Sequence, residues 1–326
     1  MFYNLRRRSA LYRDKLLYRI DHKVLLDACR KVGVVPGMTV CAHSALSRLG
    51  FFDGGSAMVI ETLMEAVGTD GTVLMPSFPT SGTMVGWIDG GTPFDVRNTP
   101  SRVGALTEAF RKTPGVIRSV HPTTSVAGWG RLAGELLRDH DKSLTPYGHE
   151  TPYGRMAARN DTYIMMFGTH ALSVVHHLQE RVDFPNLFLP GERDAEVIDA
   201  EGRQRTVHTK VMRPKIPYFV AIPAASGEAP DWATIMDFTV CFPPDRFDEI
   251  KAVGYRFDGF PVLYRRQQEL EAIGALKATR LGRSWLGLLN VDAYMRKFEP
   301  ELAAMIERFR PYYDLDSIVA RNLTYV

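Results

Sequence analysis

From residue 23 onward the chain alternates two kinds of apolar pattern. In KVLLDACRKVGVVPGMTVCAHSAL, apolar positions recur at helical spacing up to Gly33, break at Pro36-Gly37, and resume as a strand-like run from Thr39 to Ala42. A helix, a turn and a short buried strand are the reading, because glycine and proline interrupt regular structure. Next, LGFFDGGSAMVIETLMEAVG places a glycine turn at Gly54-Gly55, a candidate N-cap at Ser56 and a helix closed by Gly68. GTVLMPSFP supplies a strand from Thr72 to Met75, and DTYIMMFG another from Thr162 to Phe167. Short buried strands alternating with longer helices predict an α/β fold with helices on both faces of a sheet, which is expected to be mixed.

Beyond Pro190 the pattern changes. AEVIDAEGRQRTVHTKVM alternates in polarity around Glu201-Gly202 and reads as a hairpin, and a stretch rich in proline and aromatics runs from Lys215 to Phe260. Residues 190–260 are therefore expected to form a lid or acceptor-side insertion within a main domain of residues 24–300. Helices return in the last sixty residues, including ELAAMIERFRPYY in a C-terminal helix and tail over 301–326. No internal repeats or low-complexity tracts are expected.

Composition changes this picture only at the ends. With 326 residues, 45% of them hydrophobic and 24% charged, the chain suits one large globular domain or two small ones. A net charge of +3 argues against nucleic-acid binding, which needs a concentrated basic face. The excess sits in an N-terminal arm, residues 1–23, with seven basic residues against two acidic ones. Tyr12, Leu16 and Ile20 recur there every four residues, as in a membrane-surface or targeting segment. The preferred reading is a helix that docks on its own domain or on a second subunit, so a homodimer through this arm or the C-terminal helix is considered. No stretch approaches the ~20 apolar residues that span a bilayer. Cys29, Cys41 and Cys241 are scattered, which fits a reducing cytoplasm and neither a zinc site nor a disulfide framework.

The chemistry concentrates in GTHALSVVHHLQE, residues 168–180, where His177 and Glu180 fall one turn apart on a helix. Such a pair can hold a metal, a proton or nothing. His176 points about 100° away and is expected to pack. A metal site from His170, His177 and Glu180 would leave a position open for water, although the spacing is not HExxH. A serine hydrolase lacks its GxSxG elbow. A coenzyme-A-binding protein without catalysis is a third alternative. The glycine turn of residues 50–56 can offer backbone N–H groups to a phosphate, and Arg118 with Ser119 can clamp one; either can equally be a plain turn.

Several of these segments occur in the order of a known family. PGMTVCAHSALSRLGFFDGGSAMVIETLMEAVGTDGTVLMPSF, TPFDVRNTPSRVGALTEAFRKTPGVIRSVHPTTSVAGWG, TPYGRM and MMFGTHALSVVHHLQE together resemble the aminoglycoside 3-N-acetyltransferase family, an antibiotic N-acetyltransferase group distinct in fold from the GNAT enzymes. The resemblance covers residues 24 to about 185 well and thins towards the C-terminus. It implies a three-layer α/β/α sandwich around the mixed sheet, with a helical and loop-rich C-terminal region. It also implies acetyl-CoA as donor, a small-molecule amine as acceptor and no metal. On the matching motifs His177 becomes the general base, Glu180 its partner, and Ser77 the hydroxyl near the acyl group where the family usually carries Thr. Segments similar to those touching coenzyme A comprise His43, Ser44, Ala45, Leu46 and Ser47, together with Arg118, Ser119 and His121. Asp95 and Asp183 are the expected substrate contacts.

Elementary chemistry agrees with these roles. An amine of pKa near 10 is mostly ammonium at neutral pH and attacks a thioester only after losing a proton. A histidine whose tautomer is fixed is a suited acceptor. The acceptor's identity is less legible, because Glu192, Asp194, Asp231, Asp237, Asp245 and Glu249 are interleaved with Arg181, Arg193, Lys210, Arg213 and Lys215. Carboxylates would hold a polycation, and the cations would suit an acceptor carrying phosphate, such as a nucleotide-linked amino sugar.

Overall fold

The computed structural model describes residues 13–80, 82–184, 187–212 and 261–309. Its strands, in chain order, are β1 (Arg19–Ile20), β2 (Thr39–Ser44), β3 (Phe51–Phe52), β4 (Thr72–Pro76), β5 (Phe94–Asp95) and β6 (Ile117–Arg118). They continue with β7 (Val126–Gly130), β8 (Thr162–Phe167), β9 (Arg193–Ile198), β10 (Gln204–Thr209), β11 (Leu276–Leu281) and β12 (Ser284–Asn290). Seven of them form one sheet in the order β11-β12-β8-β2-β4-β7-β6. At its centre β2 runs parallel to both β8 and β4. Antiparallel pairings of β12 on β8 and of β7 on β4 extend it on either side, so the sheet is mixed.

Two apolar clusters show why helices cover both faces. Side chains alternate across a strand. Val40 and Ala42 of β2 join Leu25, Leu63 and Phe110, from the helices His22–Lys31, Gly55–Val67 and Ala105–Arg111. Cys41, between them, joins Leu136, Tyr153, Val174 and Phe298 from the helices Ala133–Leu137, Pro152–Ala157, Val174–Arg181 and Val291–Phe309. The result is the α/β/α sandwich. Wholly buried side chains such as Leu63, Leu74, Phe110 and Phe167 each contribute about 2 kcal/mol to it. Cys29 and Cys41 belong to these cores, and burial pushes both thiols up to about 12, so they act as small apolar residues.

The hairpin expected around Glu201-Gly202 is present as β9 and β10, with Val197 opposite Arg205. β5 pairs parallel with β9, and Phe94, Val96, Val197 and Val207 give this small second sheet its own core. Two local expectations change. Ser56 lies inside the first turn of its helix; the cap is Gly54, at φ 97°, a conformation glycine adopts at least cost. β2 also runs past Ala42 to Ser44, because His43 and Ser44 keep pairing with Met166 and Phe167. This carries a polar pair to the carboxyl end of the sheet.

At the start of the described chain, Asp14 pairs with Arg283 and Arg19 with Asp53, holding residues 14–20 against the main domain. The rest of the arm, the proline- and aromatic-rich stretch 215–260 and the tail beyond residue 309 lie outside the described residues, as do Asp231, Asp237, Asp245, Glu249, Arg213, Lys215 and Cys241. No helix among the described residues is long and apolar enough to cross a membrane.

Candidate active site

Three adjacent parallel strands end on the same edge of the sheet, where α/β proteins bind ligands. β2 delivers His43 and Ser44 there, β4 is followed by Ser77, and β8 is followed by Gly168 and His170. Gly168, at φ 60°, turns the chain off β8 towards the helix Val174–Arg181. The burial of Val174 and Leu178 in the core places His177 on the inward side of that helix, 1% exposed.

The imidazole of His177 has one defined partner. Its Nδ1–H donates to the carbonyl of Tyr147 at 2.6 Å. A carbonyl only accepts, so the neutral ring keeps its proton on Nδ1 and presents a lone pair on Nε2. Nε2 is buried and has no hydrogen-bond partner among the described residues. Burial pushes the group down to about 4, so at neutral pH it is an uncharged proton acceptor.

Glu180 does not meet His177 directly. Its Oε1 accepts the Tyr147 N–H at 2.9 Å and its Oε2 the Thr145 hydroxyl at 2.6 Å. The carboxylate thus holds the peptide segment whose next carbonyl holds the imidazole. Burial raises Glu180 to about 7, against these hydrogen bonds. We expect Glu180→Gln to lower kcat by on the order of tenfold with KM little changed, since an amide presents a donor to one of two existing donors and shifts the segment. Steady-state kinetics of the variant check this.

The segment carries a signal that a search for long repeats passes over. TPYG occurs at 145–148 and again at 151–154, with His149 and Glu150 between. The second copy starts a helix: Thr151 caps it and Pro152 occupies its first turn. Its glycine is required by close approach, since a Cβ at Gly154 would lie 2.5 Å from the carbonyl oxygens of both Gly148 and His149. The first copy supplies Tyr147, whose ring packs on His176 at 4.7 Å between centroids. His176 Nδ1 also pairs with Gln179 at 2.9 Å, as expected of a packing residue.

A second buried group braces the same segment. The Nδ1 of His121 accepts the Thr123 and Thr124 N–H groups at 3.2 and 3.1 Å, and its ring stacks on His140 at 4.4 Å. His140 Nδ1 accepts from the Ser119 hydroxyl at 2.9 Å. Thr124 then donates its hydroxyl to the Pro146 carbonyl at 3.2 Å. Ser119 and His121 are buried in this network rather than presented at a surface.

Arg118 is likewise internal. Its guanidinium donates to the carbonyls of Thr99 at 2.6 Å and of Ser77, and to Ser125 Oγ at 3.1 Å, and lies over the Phe94 ring. Those donors are committed to the protein, so the phosphate clamp read from the sequence gives way to a brace. The brace matters for Ser77, whose carbonyl also accepts from Ser125 Oγ at 2.6 Å while its own buried hydroxyl has no partner among the described residues. Arg118→Met is expected to destabilise the protein by about 3 kcal/mol, because buried carbonyls lose charged donors. Denaturant unfolding measures it.

The remaining candidates scatter. His43 is buried, its Nε2 without a partner among the described residues, and pushed down to about 4 by burial. Ser44, Ala45 and Leu46 are half-buried and Ser47 is exposed, forming the turn after β2. Asp95 closes its own turn, accepting the Arg97 and Asn98 N–H groups at 2.8 and 2.9 Å. Asp183 is exposed just past the His177 helix, at φ 48°. His170 packs on Trp285 at 4.8 Å and reaches Gln267 at 3.4 Å. Since His170, His177 and Glu180 each have separate partners, the metal-site alternative finds no support, and among the described residues no three His, Cys, Asp or Glu side chains are grouped to hold a metal.

Fold and site together define an α/β enzyme with a buried, neutral histidine at the carboxyl edge of its central sheet. A family model described as aminoglycoside 3-N-acetyltransferase matches residues 41–236, and the chain belongs to that family. It is 29% identical over 198 residues to the prophage-derived aminoglycoside N(3')-acetyltransferase-like protein YokD of Bacillus subtilis, covering 55% of this chain and 71% of that one. It is 29% identical over 177 residues to aminoglycoside N(3)-acetyltransferase VIII of Streptomyces fradiae, covering 47% of this chain and 58% of that one. Among solved structures, the aminoglycoside acetyltransferase AAC(3)-Xa superposes with a TM-score of 0.64 at 20% identity, over 95% of this chain and 99% of that one. AAC-IIIb in binary complex with CoASH superposes with a TM-score of 0.63 at 20% identity, over 89% and 98%.

Proposed function

We propose that the protein transfers an acetyl group from acetyl-CoA to an amine of an aminoglycoside or a related amino sugar, with His177 as general base. The observation that carries this is the 2.6 Å bond from His177 Nδ1 to the Tyr147 carbonyl, which leaves Nε2 as a buried acceptor with no partner among the described residues. Family membership supports the donor and the acceptor class.

Acetyl-CoA supplies an activated acyl thioester. The site fits such a group: His43 Nε2 and Ser77 Oγ are buried polar atoms without partners among the described residues, at the ends of neighbouring strands β2 and β4. Ser77 is suited to donate its hydroxyl where a thioester carbonyl oxygen gains charge. The turn of residues 44–47, half-buried to exposed, follows the neighbouring strand β2. As a nitrogen forms its bond to the acyl carbon it becomes strongly acidic, so even a base lowered to about 4 can accept its proton at that moment. Glu180 acts as a positioning residue through the Tyr147 peptide.

Release of coenzyme A thiol in the presence of aminoglycosides, amino sugars and nucleotide-linked amino sugars tests the reading. Turnover on aminoglycosides is the expected result; turnover only on a phosphate-bearing sugar would reassign the acceptor, and none on any amine would reject the reading.

A further inference from the structure

The net reaction leaves one proton over. An ammonium acceptor and an acetyl thioester give an amide, a free thiol and a proton, which must reach solvent in every turnover. If the acceptor enters as ammonium, His177 handles two protons in succession. The first transfer, from an ammonium near 10 to a base near 4, is uphill and goes forward only as the proton is carried off; His177, once emptied, takes the second as the N–C bond forms and passes it to the departing sulfur. His177 is 1% exposed, so it has little contact with water of its own.

Its surroundings contain few exits. Glu180 has both oxygens occupied by Thr145 and Tyr147. Arg181 is a donor without an acceptor atom and pairs with Glu299 at 2.7 Å. Nδ1 of His177 is committed to a carbonyl, which takes no proton. Of the other proton-accepting groups that act on His177 among the described residues, Glu299 is held in the Arg181 ion pair, and His149 lies with its ring edge-on to that of His177, 5.4 Å between centroids. His149 is exposed, and it sits in the two-residue spacer between the TPYG copies. The close approach of Gly154 fixes the backbone carrying it, which leaves the side chain in contact with both a buried base and water.

We propose that His149 is the proton outlet of the site. The proton that His177 Nε2 removes from the bound ammonium passes to a ring nitrogen of His149, directly or through one water, and from there to solvent or buffer. The N–H bond of the ammonium breaks, an N–H bond of His149 forms and is lost to buffer, and His177 returns to its neutral Nδ1–H form. No redox partner is involved. This rests on the general-base reading given above.

Two measurements test it, one with turnover and one without. In dilute non-imidazole buffer, His149→Ala and His149→Gln are expected to lose about tenfold or more in kcat with KM within about twofold. Added imidazole should restore His149→Ala in a saturable manner while leaving the wild type unchanged. Wild-type kcat in both variants, or a loss that imidazole does not relieve, would overturn the proposal. The second readout needs no substrate: NMR of 15N-histidine-labelled protein follows proton exchange at the His177 ring. Exchange should slow about tenfold in His149→Gln at an unchanged thermal midpoint; equal exchange rates would overturn the outlet even if no acceptor were ever turned over. Inactivity of the wild type towards every amine, with exchange still dependent on His149, would reject the acetyltransferase reading alone.

Discussion

Replacing His177 with alanine is expected to lower acetyl transfer by roughly 10²–10⁴-fold while the protein stays folded. The large effect follows from where the side chain sits. Nε2 is a buried acceptor with no partner among the described residues, and Nδ1 is held at 2.6 Å, so the lone pair is aimed before any ligand arrives. The fold should tolerate the change because Val174 and Leu178, not the imidazole, anchor the helix in the core. Some stability is lost where the ring leaves a cavity, about 1–2 kcal/mol. Steady-state kinetics with a denaturation curve separate the two effects. His177→Gln is the companion variant, since a fall in kcat there with stability retained assigns the loss to proton transfer. Activity close to wild type in either variant would remove the base from the account.

Acid is expected to unfold the protein unusually early. His43, His121, His140 and His177 are all buried. Burial lowers His43 and His177 to about 4, His121 to about 3, and His140 well below the ordinary value. The unfolded chain takes up protons on these groups near pH 6.5, whereas the folded protein refuses them until far lower pH. Their contribution is therefore complete above about 6.5 and is lost as pH falls towards 4. Each group costs about 1.4 kcal/mol per pH unit, so four together cost roughly 5 kcal/mol per unit below pH 6. Glu180 works in the opposite sense: its raised value means that stability is lost as pH rises from its unfolded value to about 7. It offsets at most one of the four. Against a total stability of about 5–15 kcal/mol, the urea midpoint should collapse between pH 6.5 and 5. Removing one titrating ring with His121→Gln should make that slope shallower by about a quarter to a third, measured against the variant's own stability at pH 7.5. A midpoint flat across this range would mean that the imidazoles titrate freely in the folded state.

The parts legible in the sequence were those written in uninterrupted patterns. β8 runs from Thr162 to Phe167 as read, because a fully buried central strand is apolar on both faces and is bounded by polar residues and glycine. The outer strands β6, β7 and β11 have no such run. β6 has two residues, and VAGWG and LKATRL mix small, polar and charged side chains, so their pairing depends on neighbours distant in sequence.

At the site, the one-turn spacing pointed to His177 and Glu180 and suggested a direct contact. The structure inserts the Tyr147 peptide between them, and a backbone carbonyl leaves no residue type to recognise. Arg118 illustrates the opposite error. Arginine beside serine suggests an anion site, but the burial that commits this guanidinium to carbonyls arises from β6 and β7 folding over Ser77 and Thr99. His149 had a visible marker in the duplicated TPYG, although its proximity to His177 emerges only in three dimensions.

The most direct measurement is a crystal structure of the protein with coenzyme A and an aminoglycoside bound together. The account predicts an acceptor nitrogen about 3 Å from His177 Nε2, or one water away, with the coenzyme sulfur on the same side near Ser77. Both ligands bound in order, with sulfur and nitrogen on another face of the sheet, would contradict it.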